Sequence, residues 1–248
     1  MTDGLVSVGF LHPGHLAACF SESLQDLLFH DAFGAQRVIS HTFGKMGKSC
    51  GAGGIVAGRN QLARVVIDES ESEWLLMVDS DMGFDHDLLE RLIEAADPKA
   101  RPVVGALCFA QKTAGKASGY GVRYRACPTL YDFIEQDDIV GFAPRLTYER
   151  DTLQVVSATG AACVLIHRSV LEGVRAKYGD VWFDQITHPK GPTTFSEDLS
   201  FCIRVAGAGF PIHVHTGIKT GHDKGGVYLD EDFYDTQGAL SCPQPPTS

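Results

Sequence analysis

Two aspartates one residue apart, Asp79 and Asp81, close a continuous apolar run, Trp74-Leu75-Leu76-Met77-Val78. Carboxylates at that spacing can be turned toward one hard divalent cation, which takes oxygen ligands and keeps positions open for phosphate groups. Such a cation neutralises charge on a departing diphosphate. Asp-x-Asp triplets also occur as solvated turns, and the apolar strand pattern directly before this one is what favours chemistry. Further along, Ser196-Glu197-Asp198 opens a stretch in which Leu199, Cys202, Ile203 and Ala206 share one helical face. Acids in a first helical turn are favoured by the helix dipole whatever their role. Here Asp198 or Glu197 can also take a proton from a hydroxyl. His222, beside Gly221, can add an imidazole nitrogen to a metal already held by carboxylates, a mixed shell that manganese accepts. His213 and His215 alternate with Ile212 and Val214 and read as structural.

A second phosphate-binding pattern competes for attention. Gly44-Lys45-Met46-Gly47-Lys48-Ser49 resembles a phosphate loop, and Asp79 would then be its metal-linked aspartate. A P-loop places a glycine five positions before the glycine of Gly-Lys-Ser, and Thr42 stands there instead. The following Cys50-Gly51-Ala52-Gly53-Gly54 is a poor start for the helix that should receive the phosphates.

The elements that must position these groups follow from periodicity. Leu5 to Leu11 reads as a strand stopped by His12-Pro13-Gly14, and Leu16 to Phe29 carries helical spacing. Gln36 to His41 predicts a second strand. A glycine-rich segment from Gly44 to Gly58 leads into a helix beginning near Arg59-Asn60. The run at 74–78 has the continuous apolar character of a parallel strand covered on both faces. A helix over Leu88 to Ile93, a strand over Pro102 to Phe109, a helix from Ser169 and a final strand over Pro211 to His215 continue the alternation. That alternation predicts an α/β layered domain with a mainly parallel sheet, whose ligand site lies at the carboxyl ends of the strands. The rhythm lapses between 111 and 154, read as an irregular, partly β insertion. We expect one domain over 1–240 and a disordered proline-rich tail over 241–248.

The 248 residues carry 31 acids against 21 bases, a formal net charge of -10. That balance disfavours a protein whose task is to grip a phosphate backbone. The seven cysteines are scattered without a Cys-x-x-Cys pair, several inside apolar runs, which points to a reducing compartment. The first residues lack a basic region, and no apolar stretch approaches the roughly 20 residues that span a bilayer. The cytoplasm is the expected location.

Taken in order, the motifs resemble those of GT-A glycosyltransferases, in particular the family 2-like and small bacterial and phage enzymes. The likeness rests on the first strand Val6 to Leu11, Gly58-Arg59-Asn60, and Leu75 to Asp81. It continues through Ala158-Thr159-Gly160-Ala161-Ala162, Glu197-Asp198 ahead of Arg204, and His222 after Ile218-Lys219-Thr220-Gly221. The customary proline of the first strand is absent, Phe10-Leu11-His12-Pro13 standing there instead, and 111–154 has no evident counterpart.

The resemblance implies a three-layer α/β/α GT-A domain with a mainly parallel central sheet. It implies a nucleoside-diphosphate sugar donor, with uridine the expected base, and Mn2+ or Mg2+ as cofactor. Phe10, His12, Arg59 and Asn60 would form the nucleotide side, with Asp79 and Ser80. Asp79, Asp81 and His222 would hold the metal, and Gly160 and Ala161 would lie beneath the sugar. Asp198, with Glu197, would serve the acceptor, Asp198 being the first choice of base if the reaction inverts. Trp182 and Phe183 could offer an aromatic platform to an acceptor, although core packing explains them as well. The acceptor could be a protein, a glycan or another hydroxyl compound; the charge weighs against nucleic acid. If the chain is phage-encoded, the compartment is the host cytoplasm. A nucleotidyltransferase, a P-loop hydrolase and a non-catalytic sugar-nucleotide-binding module remain the alternatives.

Overall fold

Alternation of side chains along the buried strands sorts the core into two faces. In the computed structural model, which describes residues 4–45, 54–116, 122–136, 139–191 and 194–237, the first half runs β1 (Val6–His12), α1 (Ala18–Phe33), β2 (Val38–Lys45), α2 (Ile55–Glu69), β3 (Trp74–Val78), β4 (Met82–Phe84), α3 (Leu88–Ala95) and β5 (Val103–Leu107). Next come β6 (Phe109–Lys116), β7 (Val122–Pro128), β8 (Leu130–Gln136), β9 (Ile139–Pro144), β10 (Leu153–Val156) and β11 (Ala158–Thr159). The order closes with β12 (Cys163–His167), α4 (Arg168–Tyr178), α5 (Glu197–Gly207), β13 (Ile212–Asp223), β14 (Tyr228–Leu229) and α6 (Glu231–Thr236).

The main sheet has the order β10-β13-β5-β12-β3-β1-β2, with β4 and β14 added along β13. Five of those seven strands point the same way; β12 and β10 are antiparallel to their neighbours. Leu75 and Met77 of β3 face a core built with Leu62, Ala63 and Val66 of α2, Val170 and Val174 of α4, and Phe201 of α5. Trp74, Leu76 and Val78 face the other core, with Phe20 and Leu27 of α1 and Leu88 and Leu92 of α3. A period of two applied to a strand with five apolar residues in a row therefore produces helices on both sides, three layers in all.

Three boundaries differ from expectation. Helix α2 begins four residues ahead of Arg59, at Ile55, and takes Gly58 into its first turn. A Cβ on Gly58 would stand 2.7 Å from Leu11 Cδ1, so this glycine lets the helix lie close on β1. Strand β13 is 12 residues long and reaches Asp223, well beyond His215. Gly217 and Gly221 interrupt its apolar pattern, and its register against β5 shifts between His215 and Lys219. The segment 111–154 is carried mainly by the two antiparallel pairs β6–β7 and β8–β9. Strand β8 is only partly buried, so its residues show no continuous apolar signal.

Gly44 and Lys45 end strand β2, and the rest of the phosphate-loop-like pattern, with residues 46–53, lies outside the described residues, as does the tail from 238 onward. Among the described residues, no helix is long and apolar enough to cross a membrane, and Cys19, Cys108, Cys127, Cys163 and Cys202 are free thiols.

Candidate active site

Strands β1, β3, β5 and β13 bring their carboxyl ends to one edge of the sheet. A cavity of about 510 Å³ opens there, its wall including Leu11, Pro13, His15, Asp79, Asp81 and Lys224. The backbone of the acidic triplet is tied to three different elements. Asp79 donates its N–H to the Ala162 carbonyl (2.9 Å), the Ser80 carbonyl accepts from Ala17 at the head of α1 (3.0 Å), and the Asp81 carbonyl accepts from Asp223 (2.8 Å). Strand β4 then runs back antiparallel to β13 with Met82 opposite His222, which sets Asp81 beside that histidine.

Each aspartate has its own cationic partner. Arg59, whose side chain is 3% exposed, donates from Nη2 to Asp79 Oδ1 at 2.9 Å and from Nη1 to the Ala161 carbonyl at 2.9 Å. Burial pushes the Asp79 carboxyl up, and Arg59 opposes that shift. Asp81 Oδ2 accepts from Lys224 Nζ at 2.8 Å, and its Oδ1 lies 3.2 Å from His222 Nε2. Burial favours the neutral form of Asp81, but His222, when its ring is also protonated at Nε2, and Lys224 outweigh it and bring its pKa down to about 2.

The histidine tautomer follows from its other nitrogen. His222 Nδ1 lies 2.9 Å from the Phe109 carbonyl, which can only accept, so Nδ1 carries the proton. In the neutral ring Nε2 then presents a lone pair, buried and without a hydrogen-bond donor, toward a carboxylate. Two electron-rich groups so placed require a proton or a cation between them, and the donor set suits manganese. Among the described residues, no three His, Cys, Asp or Glu side chains converge as a formed metal site, and Asp79 is turned to Arg59.

The second acidic pair lies across Arg59. Glu197 Oε1 stands 3.8 Å from Arg59 Nε, so one guanidinium faces both Asp79 and Glu197. Burial raises the Glu197 carboxyl against the pull of Arg59. Asp198 Oδ1 accepts from the Leu199 N–H (2.8 Å) and from the hydroxyl of Ser196, the N-cap residue of α5, whose side chain makes no bond to a helical N–H. Its Oδ2 is turned toward Gly160, where a Cβ would lie 3.7 Å away. Tyr131 of β8 is held neutral by burial first, with Cys127 and Asp198 adding to the effect.

Other residues singled out from the sequence sit elsewhere. Phe10 packs in the core with its ring centroid 5.0 Å from that of Phe20, and His12 accepts from the Gly14 N–H at 3.2 Å. The wall on this side is made by Leu11, Pro13 and His15. Asn60 is a structural tie: Oδ1 accepts from Phe183 N–H (2.8 Å) and Nδ2 donates to Asp184 (2.5 Å). The aromatic platform is corrected outright. Trp182 and Phe183 are both wholly buried, Trp182 donating from Nε1 to the Leu171 carbonyl and Phe183 stacking on Phe201 at 4.5 Å. Neither has a face left for a sugar. Lys224 and His15 were not anticipated; a lysine two residues beyond His222, in a Gly-Gly turn, was the available signal for the first.

No protein-family model matches this sequence, and no curated protein matches it. Among solved structures the chain is similar to A197 from STIV, at 14% identity and a TM-score of 0.51, over 92% of each chain. It is also similar to GalNAc-T7, solved with UDP, GalNAc and Mn2+, at 9% identity and a TM-score of 0.55. That likeness covers 88% of this chain and 43% of GalNAc-T7, so the chain spans less than half the length of that protein. At such identities the likeness speaks for the fold, and the fold is GT-A: a central, mostly parallel sheet between two layers of helices.

Proposed function

We propose that this chain is a glycosyltransferase that moves a sugar from a nucleoside-diphosphate donor, expected to be a uridine one, to an acceptor hydroxyl on a protein or glycan. The observation that carries the reading is the juxtaposition of Asp81 with the orphaned, buried Nε2 of His222 at the carboxyl edge of a GT-A sheet. A cavity of about 510 Å³ is in the range of small-molecule sites. Mn2+ or Mg2+, when bound, would supply positive charge to the leaving diphosphate, and Asp81, His222 and Asp79 are the residues to hold it.

The chain's own groups divide the remaining work. Arg59 fixes one oxygen of Asp79, leaving the other for a donor hydroxyl or the metal. Lys224, paired with Asp81, adds a cation on the cavity wall, within reach of negative charge that develops there. Gly160 keeps the space beside Asp198 free of bulk, and the neighbouring Ala161 would continue that floor. If the reaction inverts, Asp198 Oδ2 takes the acceptor proton while Oδ1 is held by Ser196 and Leu199. The acceptor would approach past β8 and α5, which carry Tyr131 and Asp198.

Incubation with a panel of nucleotide sugars, Mn2+ and hydroxyl acceptors, scoring free nucleoside diphosphate, tests the reading. Donor-dependent release that disappears in Asp81→Ala is the expected result. Release that persists in Asp81→Ala contradicts the mechanism. Cleavage of nucleoside triphosphates instead would favour a nucleotidyltransferase or hydrolase, and donor binding without turnover a non-catalytic module.

A further inference from the structure

Lys224 holds one oxygen of the carboxylate whose other oxygen faces His222, the pair to which the cation is assigned. Its Nζ is 2.8 Å from Asp81 Oδ2, while the other oxygen of the same carboxylate faces the unpartnered Nε2 of His222. The lysine's backbone is fixed. Its N–H donates to the Val227 carbonyl (2.9 Å), and the neighbouring Gly225 N–H donates to Asp223 Oδ1 (2.9 Å). Asp223 is itself tied to the Asp81 carbonyl, and Tyr228 pairs with Asp223 across the turn. Only the side chain is at liberty: four methylenes, 28% exposed, ending on the wall of the cavity.

We propose that Lys224 is a place-holder for the divalent cation, released from Asp81 when the cation binds and transferred to the diphosphate that enters with it. This rests on the nucleotide-sugar reading and adds a coupling to it. An ammonium and a divalent ion on one carboxylate repel each other, so the Lys224–Asp81 pair subtracts from the cation's affinity in the empty site. A diphosphate offers the ammonium another anion and removes that competition. Cation and nucleotide therefore bind with positive cooperativity, and linkage makes the effect reciprocal. In the absence of nucleotide, Lys224 also keeps Asp81 from being left as an unpaired, partly buried charge.

The test is Mn2+ binding to the full chain, read from the electron paramagnetic resonance of the free ion, with and without UDP. In the wild type, UDP should tighten Mn2+ binding. In Lys224→Met, Mn2+ alone should bind roughly tenfold tighter, and the enhancement by UDP should shrink by a similar factor. Lys224→Arg, which keeps a cation on the same turn, should retain cooperativity. Unchanged or weaker Mn2+ binding in Lys224→Met, in protein whose melting temperature shows it folded, overturns the proposal and leaves the nucleotide-sugar reading in place. A wild type that binds UDP but no Mn2+ also overturns it, while binding of neither removes the underlying reading as well.

Discussion

Nη2 of Arg59 lies 2.9 Å from Oδ1 of Asp79, and the same guanidinium turns its Nε toward Glu197 at 3.8 Å. A residue expected to touch nucleotide thus links the acidic triplet of β3 to the acids that open α5. The link is made through a nearly inaccessible side chain, so its geometry is set by the core and not by ligand.

Replacing Arg59 by Met should strand two carboxylates that now share its charge. We expect a loss of about 2–4 kcal/mol in folding stability, read from urea unfolding, because removing one partner of a buried pair leaves an uncompensated charge. The double variant Arg59→Met, Asp79→Asn should recover part of that loss. Simple additivity in the double-mutant cycle would contradict the pairing.

Much of this was legible in the sequence, and the limits have physical causes. Strand β3 and its terminal aspartates were plain because a strand covered on both faces must be apolar at every position. The start of α5 was plain because its apolar face recurs with helical period. The long reach of β13 was hidden by glycines that serve close packing, and β8 by side chains that are only partly buried. The role of Arg59 was out of reach for another reason: its partners are 20 and 138 positions away in the chain, Asp79 and Glu197. The same holds for Lys224 and Asp81, which only the β4–β13 register brings together.

Acid should weaken the fold partly through Asp81. Its folded pKa of about 2 lies below the ~3.9 of an unfolded aspartate, so its stabilisation is whole above the unfolded value and is lost as pH falls through the folded one. Urea midpoints measured from about pH 5 down to about pH 2 should fall less steeply in Asp81→Asn than in the wild type. Equal slopes would show that His222 and Lys224 do not hold this carboxylate.

The hairpin that carries Lys224 is seated by Tyr228. A Cβ on Gly221 would stand 2.1 Å from the Tyr228 ring, and one on Gly83 would stand 2.2 Å from its hydroxyl. Gly221→Ala should therefore expel the ring, at a cost of about 1–3 kcal/mol. Adding Tyr228→Ala to that variant should relieve most of the strain, a sign that thermal melts can read.

Trp182 should behave as a core residue. Trp182→Ala should cost about 3–5 kcal/mol in stability, measured by denaturant unfolding, without a selective rise in the KM for any acceptor. A folded variant with unchanged stability and impaired acceptor binding would restore the aromatic-platform reading.

The central claim is that the sheet edge carrying Asp79, Asp81 and His222 is a metal-assisted nucleoside-diphosphate site. The most direct measurement is a crystal grown with UDP and Mn2+, with anomalous scattering used to locate the manganese. The account predicts an anomalous peak against Asp81 and His222 Nε2, with the diphosphate in the cavity lined by Lys224 and the uridine toward Pro13 and His15. Nucleotide bound instead to the glycine-rich segment after β2, or manganese bound away from Asp81, would contradict it.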